Sequence, residues 1–292
     1  MYSKRMPALF ISLFALCSLF SQENIDFLGV IKLNDTTLIS YKLSLQENNG
    51  NVSGFSITDL GGLHETKSLV AGFYDYEKKV FEFREKDIIY TKSKIDEYDF
   101  CFVHFKGKIR NINRRQNLKG SFKGLYSDGT ECLSGDIDMM RLEKIIKKAE
   151  TVDRKIQKLK RIDDEVKKRV SVQKTLDTLS MNVIKSNENL SVFIKDKVAT
   201  LVIYDAGKED GDKINLFVNN KLKLSNFVVT REKKILKIPL TSKQTTVKIK
   251  ALNMGSIAPN TVRLEIENLQ TTIDALTNLK YNEAAQITLI KG

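Results

Sequence analysis

From Ile25 to about Asp138 apolar and polar residues alternate with a period of two. Ile39, Tyr41, Leu43 and Leu45 interleave with Ser40, Lys42 and Ser44, the pattern of a strand with one face buried. Turn residues recur at short intervals: Asn34-Asp35, Asn48-Asn49-Gly50, Gly61-Gly62 and Ser127-Asp128-Gly129. This spacing predicts an antiparallel meander that closes as a barrel or folds as a sandwich. An apolar residue, a spacer and a Gly also recur, at Val52-Ser53-Gly54, Val70-Ala71-Gly72, Leu118-Lys119-Gly120 and Leu133-Ser134-Gly135. Gly weakens a strand unless the backbone must bend there, and barrel corners need such bends. A Gly that only ends one strand and begins a turn is the alternative. Phe100-Cys101-Phe102-Val103-His104-Phe105 is apolar on both faces and is expected to be a central strand.

The period changes at Arg141. Leu142, Ile145, Ala149, Val152, Ile156 and Leu159 follow three-four spacing, and Val166 and Val170 resume it beyond Asp163. No Gly or Pro interrupts residues 141–179, and basic residues outnumber acidic ones across them. The expectation is one long amphipathic helix, or two shorter ones, spacing two β halves. Three readings of the segment stand: its stripe lies on one of the β halves as a strut, it pairs with a second helix in a coiled coil that joins chains through residues 142–170, or its charge binds nucleic acid or an acidic surface.

From about Leu190 the period returns to two. Ile214, Leu216 and Val218 point one way in one run, and Val262, Leu264 and Ile266 oppose Arg263, Glu265 and Glu267 in another. Asn219-Asn220 between two runs suits the left-handed backbone of a tight hairpin. Seven to nine short strands in about a hundred residues is the pattern of an immunoglobulin-like sandwich. The expected fold is therefore mainly β with two domains. Residues 1–22 form a signal peptide, 23–138 an antiparallel barrel or meander, 139–188 a long amphipathic linker helix, and 189–292 an Ig-like β-sandwich.

Two resemblances bear on this division. The first half resembles lipocalin-like small barrels in rhythm only; their early Gly-x-Trp is absent, since Val30 and Ile31 follow Gly29. The second rests on Asp205-Ala206-Gly207-Lys208-Glu209-Asp210-Gly211-Asp212, on residues 214–219, and on Asn253-Met254-Gly255-Ser256-Ile257-Ala258-Pro259-Asn260-Thr261. These residues make the last hundred or so resemble a C-terminal sandwich domain of exported proteins from Bacteroidota-type bacteria. That resemblance implies a fold and no firm biochemical role.

Composition adds compartment and charge. Lys4 and Arg5 precede an apolar run over residues 8–20, which Ser21, Gln22 and Glu23 end. This is the plan of a secretory signal cleaved near Ser21 or Gln22, and its apolar core is shorter than the roughly 20 residues of a membrane span. A periplasmic or extracellular protein without a transmembrane span is expected. Cleavage would remove Cys17 and leave Cys101 and Cys132, which in an oxidising compartment pair as one disulfide or else stay as two buried thiols. The formal charge of the chain is +12, much of it on the helical stretch.

The chemical candidates are few. Asp205, Asp210 and Asp212, with Gly207 and Gly211 beside them, could converge oxygens on calcium, or Asp205 could cap its own turn. Asn253, Ser256 and Asn260 are the candidate ligand-binding residues of the second loop. His64 reads as a loop residue and His104 as a core residue. No nucleophile elbow, zinc-protease, P-loop or dinucleotide fingerprint occurs. The function these patterns suggest is a non-enzymatic binding or structural accessory protein, with no cofactor other than a possible calcium. It would recognise a glycan, a small apolar ligand or another envelope protein, and not nucleic acid. A helix-joined oligomeric scaffold and a secreted hydrolase are the alternatives.

Overall fold

The computed structural model describes residues 24–33, 36–94, 99–110, 112–114, 117–159, 161, 182–268 and 271–292. The expected signal peptide lies outside these residues. No helix among them is long and apolar enough to cross a membrane.

Eight strands form the first half: β1 (Ile25–Lys32), β2 (Leu38–Asn48), β3 (Asn51–Thr58), β4 (Thr66–Asp75), β5 (Val80–Thr91), β6 (Phe102–Lys108), β7 (Asn117–Leu125) and β8 (Glu131–Arg141). They pair in the order β5-β4-β3-β2-β1-β8-β7-β6, and β5 also pairs with β6, so the sheet closes into a barrel. The expected alternation holds: Tyr41, Leu43 and Leu45 are buried, as are Phe81 and Phe83 on β5. Their side chains fill the barrel together with Phe27, Phe105, Phe122, Ile137 and Met139. Gly72 and Gly135 occupy inward positions at which a Cβ would run into the carbonyls of Glu82 and Lys32 on the neighbouring strands. The repeated Gly therefore marks close approach of strands around the barrel. The Cys101–Cys132 disulfide is present, with the two Cα atoms 6.1 Å apart.

The second half is built from β9 (Asn182–Lys185), β10 (Asn189–Ile194), β11 (Val198–Tyr204), β12 (Lys213–Val218), β13 (Lys221–Val228), β14 (Lys234–Pro239), β15 (Gln244–Ala251), β16 (Asn260–Glu267), β17 (Thr272–Leu279) and β18 (Ala284–Lys291). One row of strands runs β13-β12-β15-β18-β10 and the other β14-β11-β16-β17-β9. Leu216, Ile249 and Ile287 of the first row and Leu201, Leu264 and Ile273 of the second belong to one core. Asn219 and Asn220 both have positive φ, at 49° and 62°, and make the tight β12–β13 hairpin that Asn-Asn suggests.

Two expectations are corrected. Among the described residues the long linker helix is not found: the one helix there, α1 (Leu142–Gln157), is 16 residues long and ends at Gln157. It follows β8 without a spacer, and no residue in it is buried. A three-four stripe identifies a helix, but packing of that stripe supplies most helical stability, and here Leu142, Ile145, Ile146, Ala149 and Ile156 are only half-buried while Val152 is exposed. The later part of the expected helix, residues 162–179, lies outside the described residues. Nor is the C-terminal half a free-standing Ig-like sandwich. β10 pairs antiparallel with β5 at Ser191–Thr91 and Val192–Tyr90, so barrel and first row form one 13-stranded sheet. β10 and β9 also run parallel to β18 and β17.

This junction accounts for the doubly apolar stretch at β6. Val103 and Phe105 belong to the barrel core, while Phe102, with Phe100 and Ile88, forms a small cluster against Phe193 of β10.

Candidate functional site

A groove of about 1000 Å³ crosses β4 to β8 on the outer face of the barrel. Strand register builds its floor. Ala71 stands opposite Arg84, Arg84 opposite His104, His104 opposite Lys123, and Lys123 opposite Ser134. Outward positions alternate with the buried phenylalanines, so one cross-strand level carries a guanidinium, an imidazole and an ammonium side by side. Like charges on neighbouring strands disfavour each other. Partial burial and the Arg84 charge accordingly lower the His104 pKa, keeping the ring neutral between two cations. Contrary to the core reading, His104 is half-buried in the groove floor.

The next level carries Phe73, Glu82 and Lys106, again in register. Lys106 Nζ lies 2.9 Å from Glu82 Oε2, which neutralises that pair. Phe73 is 45% exposed at the rim. The Ser121 hydroxyl donates to Asp136 Oδ1 at 2.8 Å, and the Ser134 hydroxyl to Glu131 Oε1 at 2.6 Å. Both serines are thus oriented by carboxylates, and Lys123 reaches Glu131 only at 3.7 Å. The groove offers cations, hydroxyls and one aromatic face on a rigid floor.

The acidic loop and the loop over residues 253–261 lie against each other. Asp205 Oδ1 accepts the Gly207 N–H at 2.7 Å, which is the turn-capping reading of that residue. Asp210 Oδ2 accepts the Ile257 N–H at 3.0 Å, and Asp212 Oδ2 the Thr261 N–H at 2.8 Å. Asn253 bridges the loops, accepting from Lys213 N–H and donating to the Gly211 carbonyl. Asn260 is buried and donates to the carbonyls of Lys213 and Asn253. Ser256 is exposed, and its N–H donates to the Asp210 carbonyl. The amides of Asn253 and Asn260 thus hold the two loops together.

Among the described residues no three His, Cys, Asp or Glu side chains form a metal-type group. Asp210 Oδ1, Asp212 Oδ1 and Asn260 Oδ1 are buried without a hydrogen-bond partner. Burial, and then the charges of Asp210 and Asp205, push the Asp212 carboxyl up to about 6 against the pull of the Thr261 N–H.

A further buried acid escaped the sequence reading. Glu85 faces the barrel interior and accepts from the Tyr41 hydroxyl at 2.9 Å, the Ser56 hydroxyl at 2.5 Å and the Val103 N–H at 2.8 Å. Burial raises its pKa against those three donors. Strand alternation alone would have pointed Glu85 inward with Phe81 and Phe83.

The chain matches no family model, no curated protein and no solved structure.

Proposed function

We propose that this chain is a non-enzymatic binding module that holds an acidic glycan in the outer groove of its barrel. The carrying observation is the level Arg84–His104–Lys123, where cations flank a neutral imidazole across three adjacent strands. A carboxylate or sulfate between Arg84 and Lys123 would take charge-assisted hydrogen bonds from both. Phe73 offers a ring face at the rim for the C–H side of a sugar, and Ser121 and Ser134 offer oriented hydroxyls. The filled barrel interior argues against the small apolar ligand considered from sequence. Both groove serines donate to carboxylates and neither pairs with His104, which supports binding over nucleophilic hydrolysis. The disulfide and the leader-like N-terminus favour an exported site of action.

The test is titration calorimetry with polygalacturonate and heparin, with dextran as the neutral control and an oligonucleotide as a non-sugar polyanion. Binding to the acidic glycans, weakened by salt and lost in the Arg84→Gln/Lys123→Gln double variant, is expected. Occupancy should raise the His104 pKa in an NMR titration. Equal binding of dextran, undiminished binding by the double variant, or preference for the oligonucleotide would overturn the reading.

A further inference from the structure

His104 is the middle member of the cationic level in the groove floor. It stands on β6, with Arg84 of β5 opposite it on one side and Lys123 of β7 opposite it on the other. Adjacent strands lie about 4.8 Å apart, so the backbones of Arg84 and Lys123 are about 10 Å apart. The half-buried imidazole occupies that span. An anion that takes bonds from both ends must therefore lie against the His104 ring.

What that contact is worth depends on the proton. β4 contributes Ala71 and Phe73 to the groove and β8 contributes Ser134, none of them charged. Glu82 of β5, one level away, is paired with Lys106 of β6. Glu131 of β8 lies 3.7 Å from Lys123, and Asp136 of β8 accepts from the Ser121 hydroxyl. Arg84 and Lys123 are thus the charges on the ring's own level. In the open groove, partial burial and the Arg84 charge lower the His104 pKa. A neutral imidazole donates from one nitrogen and turns a lone pair outward from the other, whereas the imidazolium donates from both. The charged form adds a charge-assisted hydrogen bond to a carboxylate or sulfate, and the negative charge of the ligand favours that form in turn. We infer that the groove takes up its anion together with a proton on His104, and so holds the glycan more tightly as its surroundings become more acidic. This coupling presupposes the groove as an anion site and adds the way that site is regulated. Above the pKa of His104 in the complex the ring is neutral with or without ligand, and affinity does not change with pH. As pH falls from there towards the lower pKa of the open groove, affinity rises by up to about tenfold per unit. Below that it is constant again.

The experiment is calorimetric titration with dextran sulfate, whose sulfates stay ionised throughout, at about pH 5 and about pH 8. At about pH 6 it is repeated in two buffers of different ionisation enthalpy, which reads the protons taken up on binding. Binding should be about tenfold or more tighter at the lower pH, with uptake of up to about one proton per site. His104→Gln keeps an N–H donor but cannot ionise. It should bind at both pH values as the unmutated protein does at about pH 8, and take up no proton. In the unmutated protein, where folding of a variant is not at issue, the NMR titration of the His104 ring should move to higher pH when dextran sulfate is added. Binding of equal strength at both pH values without proton uptake overturns the inference and leaves the groove as an anion site. A pH dependence that His104→Gln retains assigns the proton to another group and overturns it too. Absence of binding at both pH values, or binding that Arg84→Gln/Lys123→Gln leaves unchanged, overturns the anion site and this coupling with it.

Discussion

Tyr90 of β5 stands opposite Val192 of β10 in one antiparallel ladder, and both side chains are buried in the core that the two facing rows share. The Tyr90 hydroxyl also donates to Glu65 Oε1 at 2.9 Å. β5 is therefore a barrel strand over its first half and an anchor of the second core over its last turns. Barrel and C-terminal sheets should unfold together. Calorimetry is expected to show a single transition, and Tyr90→Ala should destabilise that whole transition by about 3–5 kcal/mol. Tyr90→Phe, which removes only the hydroxyl, should cost about 1–3 kcal/mol. Two separate transitions in the unmutated protein would show that the junction does not couple the halves.

Glu85 is the acceptor around which one end of the barrel interior is arranged. Replacing it with Ala leaves the Tyr41 hydroxyl, the Ser56 hydroxyl and the Val103 N–H without their acceptor. A buried unsatisfied donor costs about 1–3 kcal/mol, so Glu85→Ala should lose more than about 3 kcal/mol in urea unfolding. Tyr41→Phe should lose less, because two donors remain on the carboxylate.

These two centres show what the sequence could and could not disclose. Alternation through Tyr41, Leu43 and Leu45 and through Val262, Leu264 and Ile266 was legible, because a strand with one buried face writes its period into the chain. The repeated Gly was legible as an exception to that period and read as a bend or a strand end; that a Cβ at Gly72 or Gly135 would meet the neighbouring strand's carbonyl depends on register and was not. Nor was the groove. Arg84, His104 and Lys123 come from three strands, and only register brings them to one level. Glu85 sits in a charged run between Arg84 and Lys86, where residue type outweighed phase. In α1 the stripe revealed a helix but neither its end nor its cover, because both depend on what packs against it.

The Cys101–Cys132 bridge joins the segment before β6 to β8 across β7, and Gly124 leaves the room for it. A Cβ at Gly124 would meet Cys101 Sγ and the Leu133 carbonyl. The closed loop spans a sequence separation of 31 residues, for which the chain-entropy account gives about 3–4 kcal/mol. Cys101→Ser/Cys132→Ser should lower stability by that amount. Reductant should bring the unmutated protein to the same unfolding midpoint while leaving the double variant unchanged. A reduced protein as stable as the oxidised one would mean that the strand ladder alone fixes this edge.

Asp212 makes stability depend on pH in a direction opposite to that of a salt-bridged carboxylate. It is 1% exposed, and burial, with the charges of Asp210 and Asp205, raises its pKa from 3.8 to about 6. The folded state therefore holds this proton more tightly than the unfolded chain does. Its contribution is fully present below about 3.8, declines as pH rises towards about 6, and is gone above that. At about 1.4 kcal/mol per pKa unit the decline amounts to at most about 3 kcal/mol. Asp212→Asn keeps an oxygen for the Thr261 N–H and cannot ionise. The variant should match the unmutated protein near pH 4 and exceed its stability at pH 7.5, as read from urea midpoints. An Asn variant that is less stable at pH 7.5, with calcium raising the melting temperature of the unmutated protein alone, would instead mean that the loop charge is balanced by a cation.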